Sequence, residues 1–161
     1  MNFRIRDARP GDEATIVDLI LALAVYEKMA ERCQATPALM REALFGAAPS
    51  CECVLAELET GRIAGFALFH GTFSTFMGKP GLWLEDLFVH QDLRGVGIGK
   101  ALIAHGAKLC AARGYGRYEW SVLDWNAPSI AFYESLGAFE KKGWRTMRLD
   151  GDTLAALAAK A

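Results

Sequence analysis

Residues 82–102 read Leu-Trp-Leu-Glu-Asp-Leu-Phe-Val-His-Gln-Asp-Leu-Arg-Gly-Val-Gly-Ile-Gly-Lys-Ala-Leu, and this stretch decides the fold. Its apolar part, Leu82–Val89, predicts a strand, and a helix is predicted to begin around Ile98 after a glycine-rich turn. Glycines leave their N–H groups uncovered by any Cβ, and a helix start presents four backbone donors without helical acceptors. Such a turn binds phosphate or pyrophosphate. The three glycines in it are Gly95, Gly97 and Gly99.

Two common phosphate loops do not fit this turn. A Walker A loop requires a glycine where Arg94 stands and a hydroxyl residue where Ala101 stands. The dinucleotide pattern G-x-G-x-x-G, started at Gly95, ends on Lys100 instead of glycine. The turn therefore indicates neither an ATP nor an NAD site.

Composition indicates one globular domain over residues 1–161. Hydrophobic residues make up 52% and charged residues 23%, and 18 basic residues face 19 acidic ones, which gives no electrostatic reason for nucleic acid or membrane as a partner. The four cysteines form no C-x-x-C pair and have no histidine at zinc spacing, so no metal is expected. They are expected to be buried free thiols, and the N-terminus has no apolar signal region, so a cytoplasmic location is expected.

Periodicity and turn signals predict strands that alternate with helices. The predicted strands are Phe3–Arg6, Cys51–Leu58, Arg62–Phe69, Leu82–Val89, Tyr118–Leu123 and Trp144–Leu149. The predicted helices run from Asp12 towards Met29, from Thr36-Pro37 to Phe45-Gly46, from Ile98 to Arg113-Gly114 and from Asn126 to Gly137. A loop is expected from Gly71 to Gly81, and the tail from Thr153 forms a helix or frays. This order of strands and helices along the chain predicts an α/β fold with a mixed β-sheet flanked by helices.

Motifs along nearly the whole chain resemble one enzyme family. Arg94-Gly-Val-Gly-Ile-Gly fits the pattern Arg/Gln-x-x-Gly-x-Gly/Ala, and Asp124-Trp-Asn-Ala-Pro-Ser-Ile-Ala-Phe-Tyr and Leu136-Gly-Ala follow it. Together they resemble the GNAT N-acetyltransferases. Tyr26-Glu27, Gly81-Leu-Trp-Leu-Glu-Asp-Leu and Trp125-Asn126 are similar, more narrowly, to the diamine acetyltransferases, which act on spermidine and spermine or on thialysine.

The resemblance implies a single domain with splayed central strands and acetyl-CoA as cosubstrate, and a homodimer joined through C-terminal strands such as Trp144–Leu149. Pantetheine would lie in the gap between the strands, along backbone groups of Leu87, Phe88 and Val89. The pyrophosphate would bind Arg94, Gly95, Val96, Gly97, Ile98, Gly99 and Lys100. The start of the next helix would touch the cosubstrate through Asn126, Ser129 and Tyr133.

Acyl transfer to an amine needs a base and an acid. A primary amine with a pKa of ~10.4 is free in only about one molecule in 10³ at pH 7. Glu85 is the candidate base, acting directly or through water, with a structural ion pair as the alternative. Tyr133 occupies the position of the tyrosine that protonates the thiolate in the resembled family, with a core tyrosine as the alternative. Glu85 and the adjacent Asp86 face opposite sides of a regular strand, unless a bulge re-aims one.

The acceptor is expected to be the primary amine of a small diamine or a lysine-like amino acid. Where polyamine enzymes carry an aspartate, this chain has Ser74-Thr75, which disfavours polyamines. The alternative for Glu27 is an exposed charge at the end of a helix. Trp83 is expected to pack in the core or at an interface. No role is assigned to His70, His90 or His105. The expected acceptor residues are Tyr26, Glu27, Thr75, Glu85, Asp86, Trp120 and Ser121.

Two other functions stay open from sequence alone. The chain would acetylate a peptide or protein amine if its site were an open groove. It would be a non-catalytic acyl-CoA-binding module if Glu85 formed only a structural ion pair and Tyr133 were only a core tyrosine.

Overall fold

A computed structural model describes residues 2–161 of the chain. Its centre is a five-stranded mixed sheet in the order β1-β2-β3-β4-β5. The first four strands pair antiparallel, and β5 runs parallel to β4. The strands are β1 (Phe3–Asp7), β2 (Glu52–Leu58), β3 (Ile63–Ser74), β4 (Lys79–Val89) and β5 (Tyr118–Trp120). The predicted α/β class and mixed sheet are confirmed.

Five α-helices accompany the sheet in the described part of the chain, along with two short 3₁₀ turns at Ala30–Arg32 and Gln91–Leu93. The α-helices are α1 (Glu13–Tyr26), α2 (Pro37–Phe45), α3 (Ile98–Arg113), α4 (Ala127–Ser135) and α5 (Gly151–Ala158). Helix α2 starts as its sequence predicts, because Thr36 Oγ1 accepts the Leu39 N–H and a proline occupies the first position.

Helices cover both faces of the sheet. On one face, α1 and α2 pack on β3 and β4 in a cluster that includes Ile16, Leu19, Phe66, Leu68 and Phe88. We call this the α1 face. On the other face, the backbone of Gly106 in α3 lies so close to Phe69 and Tyr118 that a Cβ there would clash with both rings. We call this the α3 face. Alternate residues of β3 and β4 therefore point to different helices.

Three predicted boundaries are wrong. Helix α1 ends at Tyr26, before Met29, because Lys28 adopts a left-handed conformation with φ of 61°. The predicted loop Gly71–Gly81 is mostly strand, since β3 and β4 continue to the pair Ser74–Lys79. Strand β5 ends at Trp120 instead of Leu123.

The segment Trp144–Leu149 was predicted as a strand, but it has no regular secondary structure. Its apolar residues Trp144, Met147 and Leu149 do not by themselves supply a hydrogen-bonded neighbour, and a lone strand is unstable in water. The tail does form a helix, α5, which begins two residues before Thr153.

The chain separates into two compact units, residues 1–121 and 122–161. The first unit holds the whole sheet with α1, α2 and α3, and the second holds α4 and α5. No helix in residues 2–161 has the length and apolar character needed to span a bilayer. All four cysteines carry free thiols, and burial raises the pKa of the Cys53 thiol.

Candidate active site

A β-bulge in β4 arranges the acidic residues of the candidate site. The register with β3 runs from the pair Leu84–Phe69 directly to the pair Asp86–Leu68, so Glu85 is an extra residue. Asp86 lies opposite Leu68, which belongs to the α1 cluster. Glu85 bonds to Trp83, which alternates with the α3-facing Leu84. The bulge therefore turns both Glu85 and Asp86 to the α1 face, where a regular strand would separate them.

The carboxylate of Glu85 has two side-chain partners. Trp83 Nε1 donates to Glu85 Oε2 at 3.0 Å, and His70 Nε2 lies 3.4 Å from the same oxygen. His70 stands opposite Trp83 across β3 and β4, so all three side chains share the α1 face. The Glu85 side chain is 55% exposed and the His70 side chain 38%. Glu85 is thus a held but accessible carboxylate.

Asp86 carries a perturbed carboxyl group. Burial raises its pKa most, and the nearby charges of Glu85 and Glu27 raise it further, to about 6. Burial also raises the pKa of Glu27, which stands directly after the last residue of α1. Three carboxylates from two elements therefore meet on one face of the sheet, and their mutual repulsion favours an added cation or proton.

Arg94 connects the glycine-rich turn to the end of α1. Its guanidinium carbon lies 4.8 Å from the centre of the Tyr26 ring and 5.8 Å from that of Phe88. Its Nε donates to the Val89 carbonyl at 3.0 Å. Arg94 was expected beside the pyrophosphate and Tyr26 in the acceptor site. The structure brings these two residues together, and it uses a Val89 backbone group that was expected to be available to pantetheine.

Pairing between β4 and β5 stops just before the bulge. The register covers only Leu82–Tyr118, Trp83–Glu119 and Leu84–Trp120, so Glu85 to Val89 extend past the end of β5. This is the divergence of central strands that was predicted. It leaves Leu87, Phe88 and Val89 on the stretch of β4 that β5 does not cover.

Trp120 and Ser121 lie at the end of β5. Trp120 pairs with Leu84, and its ring contacts that of Tyr118 at 5.1 Å between centroids, so its side chain lies on the α3 face. Glu85 lies on the α1 face. Ser121 follows the strand and is exposed. The placement of Trp120 and Ser121 in the acceptor site stays a prediction.

The turn before α3 presents the backbone that was predicted. Gly95 and Gly97 have φ of 81° and 91°, where other residues are strained, and a Cβ at either would meet no atom within 4 Å. The glycines are therefore required by conformation and not by crowding. Gly97 caps α3 without a side chain, and the first helical bond joins Ala101 N–H to the Gly97 carbonyl. The N–H groups of Ile98, Gly99 and Lys100 precede it.

In the second unit, Asn126 begins α4. Its Oδ1 accepts the Ser129 N–H at 3.4 Å, and Pro128 lies in the first turn. Tyr133 follows Asn126 by about two helical turns, with its ring 5.3 Å from that of Phe132. The local motif that carries these three expected cosubstrate residues therefore folds as a capped helix, as predicted.

Thr75 lies away from the carboxylates. It is exposed in the turn that joins β3 to β4, next to the pair Ser74–Lys79. From Lys79 to Glu85 the strand covers about 20 Å at ~3.3 Å per residue. Ser74 is buried, and its Oγ accepts the Met77 N–H at 3.3 Å. Within one chain the structure does not bring Thr75 into the acidic site.

Sequence reasoning missed His70 and Trp83. Their contact with Glu85 depends on the β3–β4 register and on the extra residue in β4. The sequence indicates that His70 and Leu68 point to the same face of β3. It does not indicate which residues of β4 pair with them.

The motif order, the mixed sheet and the diverging strands can be compared with known proteins. The model of the Acetyltransferase (GNAT) family matches residues 20–138. The chain belongs to the GNAT acetyltransferases. It is an acyltransferase, and the matched range crosses the boundary between the two compact units.

Relatives of this GNAT chain match over nearly its full length. It is 32% identical to thialysine N-epsilon-acetyltransferase from Sus scrofa over 97% of both chains. It is 32% identical to L-ornithine N5-acetyltransferase from Arabidopsis thaliana over 96% of this chain and 87% of that protein. An integron cassette protein from the mobile metagenome of V. cholerae has a similar fold, with a TM-score of 0.81 at 24% identity, over 98% of each chain.

Proposed function

We propose that the protein is an acetyl-CoA-dependent N-acetyltransferase for the primary amine of a lysine-like amino acid or short diamine. The observation that carries this proposal is the meeting of Glu27, Glu85 and Asp86 on the α1 face of a GNAT sheet. An acceptor ammonium placed among them would offset their repulsion and lie beside a base.

The residues of the first unit fit acetyl-CoA. Strand β4 beyond the end of β5 provides backbone for an extended amide chain, and Gly95 to Lys100 provide N–H donors at a helix start for pyrophosphate. Lys100 is exposed on the first turn of α3. Bound acetyl-CoA supplies the acetyl group as a thioester. A role in cosubstrate binding is also proposed for Asn126, Ser129 and Tyr133, on the family motif that they carry.

Glu85 is proposed as the base. Releasing an amine from its ammonium form at pH 7 costs about 4–5 kcal/mol for a pKa of ~10.4, so a nearby carboxylate contributes directly to the rate. Trp83 and His70 hold Glu85 Oε2, which orients the carboxylate while it remains accessible. Tyr133 is proposed to protonate the leaving thiolate, as its position in the family motif implies.

The acceptor class follows from charge and from the relatives. Thialysine and L-ornithine, named for two relatives, are amino acids that carry a side-chain amine. Three clustered carboxylates suit one ammonium group held at the site of reaction. A long polyamine would gain from further acidic residues along its length, and Ser74 and Thr75 offer none.

We further propose a homodimer. The second unit exposes Phe139, Trp144 and Met147, of which Trp144 is 71% exposed and Met147 87%. Pairing of Trp144–Leu149 with a strand of a second copy would cover Trp144 and Met147. It would also give the segment a hydrogen-bonded neighbouring strand. Light scattering at micromolar concentration should give twice the chain mass. A monomer mass would remove this proposal.

The cytoplasmic location stays a prediction.

A panel of acceptors tests the proposed function. The wild-type protein is incubated with acetyl-CoA and thialysine, ornithine, lysine, putrescine, spermidine or a lysine-containing peptide, and free thiol is measured. Thiol release with the amino acids or short diamines supports the proposal. Release with the peptide alone would indicate a protein acetyltransferase. Acetyl-CoA binding without release for any amine would indicate a binding module.

A further inference from the structure

His70 has two polar contacts that together constrain its protons. Its Nδ1 lies 3.2 Å from the Gly71 carbonyl, and its Nε2 lies 3.4 Å from Glu85 Oε2. A carbonyl oxygen only accepts, so Nδ1 carries the hydrogen of the first contact. A neutral ring would then present a lone pair to the carboxylate. The second contact is therefore favourable only when a proton lies on Nε2 or on Oε2.

We propose that His70 shares a proton with Glu85 and passes the proton released by the acceptor from Glu85 to solvent. The inference rests on the proposed function, in which Glu85 is the base. His70 acts through Glu85 and is therefore a positioning residue for the reaction. The proton that His70 would carry is the one that the acceptor's ammonium group releases.

The overall reaction leaves one proton to be removed. An ammonium group and a thioester give an amide, a thiol and one proton: the C–N bond forms, the C–S bond breaks, and the sulfur keeps the electron pair of that bond. The nitrogen loses two protons in total. One ends on the thiol and the other must leave the site. If Glu85 keeps this proton, it cannot act as the base in the next turnover.

The geometry gives that proton a route. Both Trp83 Nε1 and His70 Nε2 approach Oε2, which assigns Oε1 to the acceptor. His70 is partly exposed, so its ring is accessible to water on one side and to Glu85 on the other. A contact of 3.4 Å must shorten for transfer, as catalytic contacts commonly do once substrate is bound.

The charges around the pair also favour proton transfer from Glu85 to His70. Asp86 follows Glu85 on the same strand, and the charges of Glu85 and Glu27 both raise the pKa of its carboxyl group. An imidazolium at His70 would add a positive charge facing this cluster from β3. The charged group beside the pair is thus Asp86 on β4, which in turn interacts with Glu27 after α1.

A double-mutant cycle separates this role from a structural one. His70→Gln keeps a side-chain donor but cannot hold a transferable proton. We expect it to lower kcat about tenfold, less than the ~10²–10⁴-fold of losing the base itself, with KM for acetyl-CoA unchanged. In a Glu85→Gln background, the same substitution should cost nothing further. Equal losses in both backgrounds, or no loss in either, would overturn the proposal.

Two controls sharpen the kinetic result. Trp83→Phe removes the other donor to the same oxygen but keeps the imidazole, so its kcat/KM should retain the shape of the wild-type pH profile, while that of His70→Gln should change. His105→Gln, in α3, should behave as wild type. A pH profile of His70→Gln superimposable on that of Trp83→Phe would contradict the shuttle.

A spectroscopic measurement tests the shared proton without relying on turnover. At pH 7, the ¹⁵N signal of His70 Nε2 should shift between the wild type and Glu85→Gln, while that of His105 should not. An unchanged His70 signal would overturn the proposal even in an active enzyme. If wild type acetylates no amine, the proposed function fails, and the ¹⁵N signal still shows whether the pair shares a proton.

Discussion

The guanidinium carbon of Arg94 lies 4.8 Å from the centre of the Tyr26 ring, so the turn before α3 is joined to the end of α1. The residue after Tyr26 is Glu27, a member of the acidic cluster. One side chain therefore links the expected cosubstrate loop to the expected acceptor site, and a change in one is expected to affect the other.

Arg94→Lys should weaken both sites. Lysine keeps the charge but loses the planar stacking group and the Nε bond to the Val89 carbonyl. We expect KM for acetyl-CoA and KM for the amine each to rise several-fold, measured by steady-state kinetics. Arg62→Lys is the matched control, because Arg62 pairs with Asp92 at the exposed surface. A rise in only one KM would show that the stack does not couple the sites.

Gly97→Val should abolish the stabilisation of the protein by acetyl-CoA. A valine at a φ of 91° is strained, and it covers the N–H groups at the start of α3. Gly61→Val introduces the same strain at a φ of 83° in a distant hairpin turn. Both variants should lose Tm, but only Gly61→Val should keep the wild-type rise in Tm on adding acetyl-CoA. Retention of that rise in Gly97→Val would exclude the turn as the cosubstrate site.

Tyr133→Phe should bind acetyl-CoA normally but turn over ~10²–10⁴-fold more slowly, the range for a lost general acid. The hydroxyl is removed while the ring contact with Phe132 is retained. Tyr115→Phe, beside Arg113, removes a hydroxyl elsewhere and should leave kcat unchanged. Wild-type turnover in the Tyr133 variant would make that residue a packing group.

Asp86→Asn should stabilise the fold at neutral pH. The folded-state pKa of about 6 lies above the ordinary 3.8, so ionisation of Asp86 opposes folding in full above pH 6, and this cost disappears as the pH falls from about 6 to about 4. The variant should gain about 3 kcal/mol at pH 7 and little below about pH 4. Urea unfolding of both proteins between pH 4 and 8 measures the difference. A gain that is independent of pH would mean that the carboxyl does not titrate abnormally.

The acceptor preference should favour thialysine or ornithine over spermidine in kcat/KM. Thr75→Asp tests the hairpin turn, which lies about 20 Å along β4 from Glu85 and thus beyond the ~8 Å Debye length at physiological salt. We expect this variant to keep the wild-type ratio. A narrower ratio would place Thr75 at the acceptor site of another copy. A tenfold wild-type preference for spermidine would contradict the proposed acceptor class.

The elements that position the site were largely predictable, because strong local signals mark them. Thr36-Pro37 and Asn126 start helices by capping, and the glycines before Ile98 mark a strand-to-helix turn. The α/β class follows from this alternation. Local signals are weaker where a strand depends on a neighbour. The β3–β4 hairpin is longer than expected because each strand extends the other, and Trp144–Leu149 is not a strand because it lacks a partner.

The acidic cluster was predictable in its members but not in its geometry. Glu85 and Asp86 were expected on opposite faces, since alternation is the rule for regular strands. The register with β3 removes that alternation at one position, and register is a long-range property that the local sequence does not carry. For the same reason, His70 could not be linked to Glu85 from sequence.

The bulge divides β4 into two segments with opposite phase. Before Glu85, even-numbered residues such as Leu84 face α3, while after it Asp86 and Phe88 face α1. Loss of Glu85 would therefore leave both halves in register with β3, because Leu84 and Asp86 already pair with the adjacent residues Phe69 and Leu68, whereas regular alternation through all the residues of β4 would turn one half over and expose its core side chains. A designer who moves this acidic site to another sheet must move the inserted residue with it, since identical letters on an unbroken strand would build a different surface.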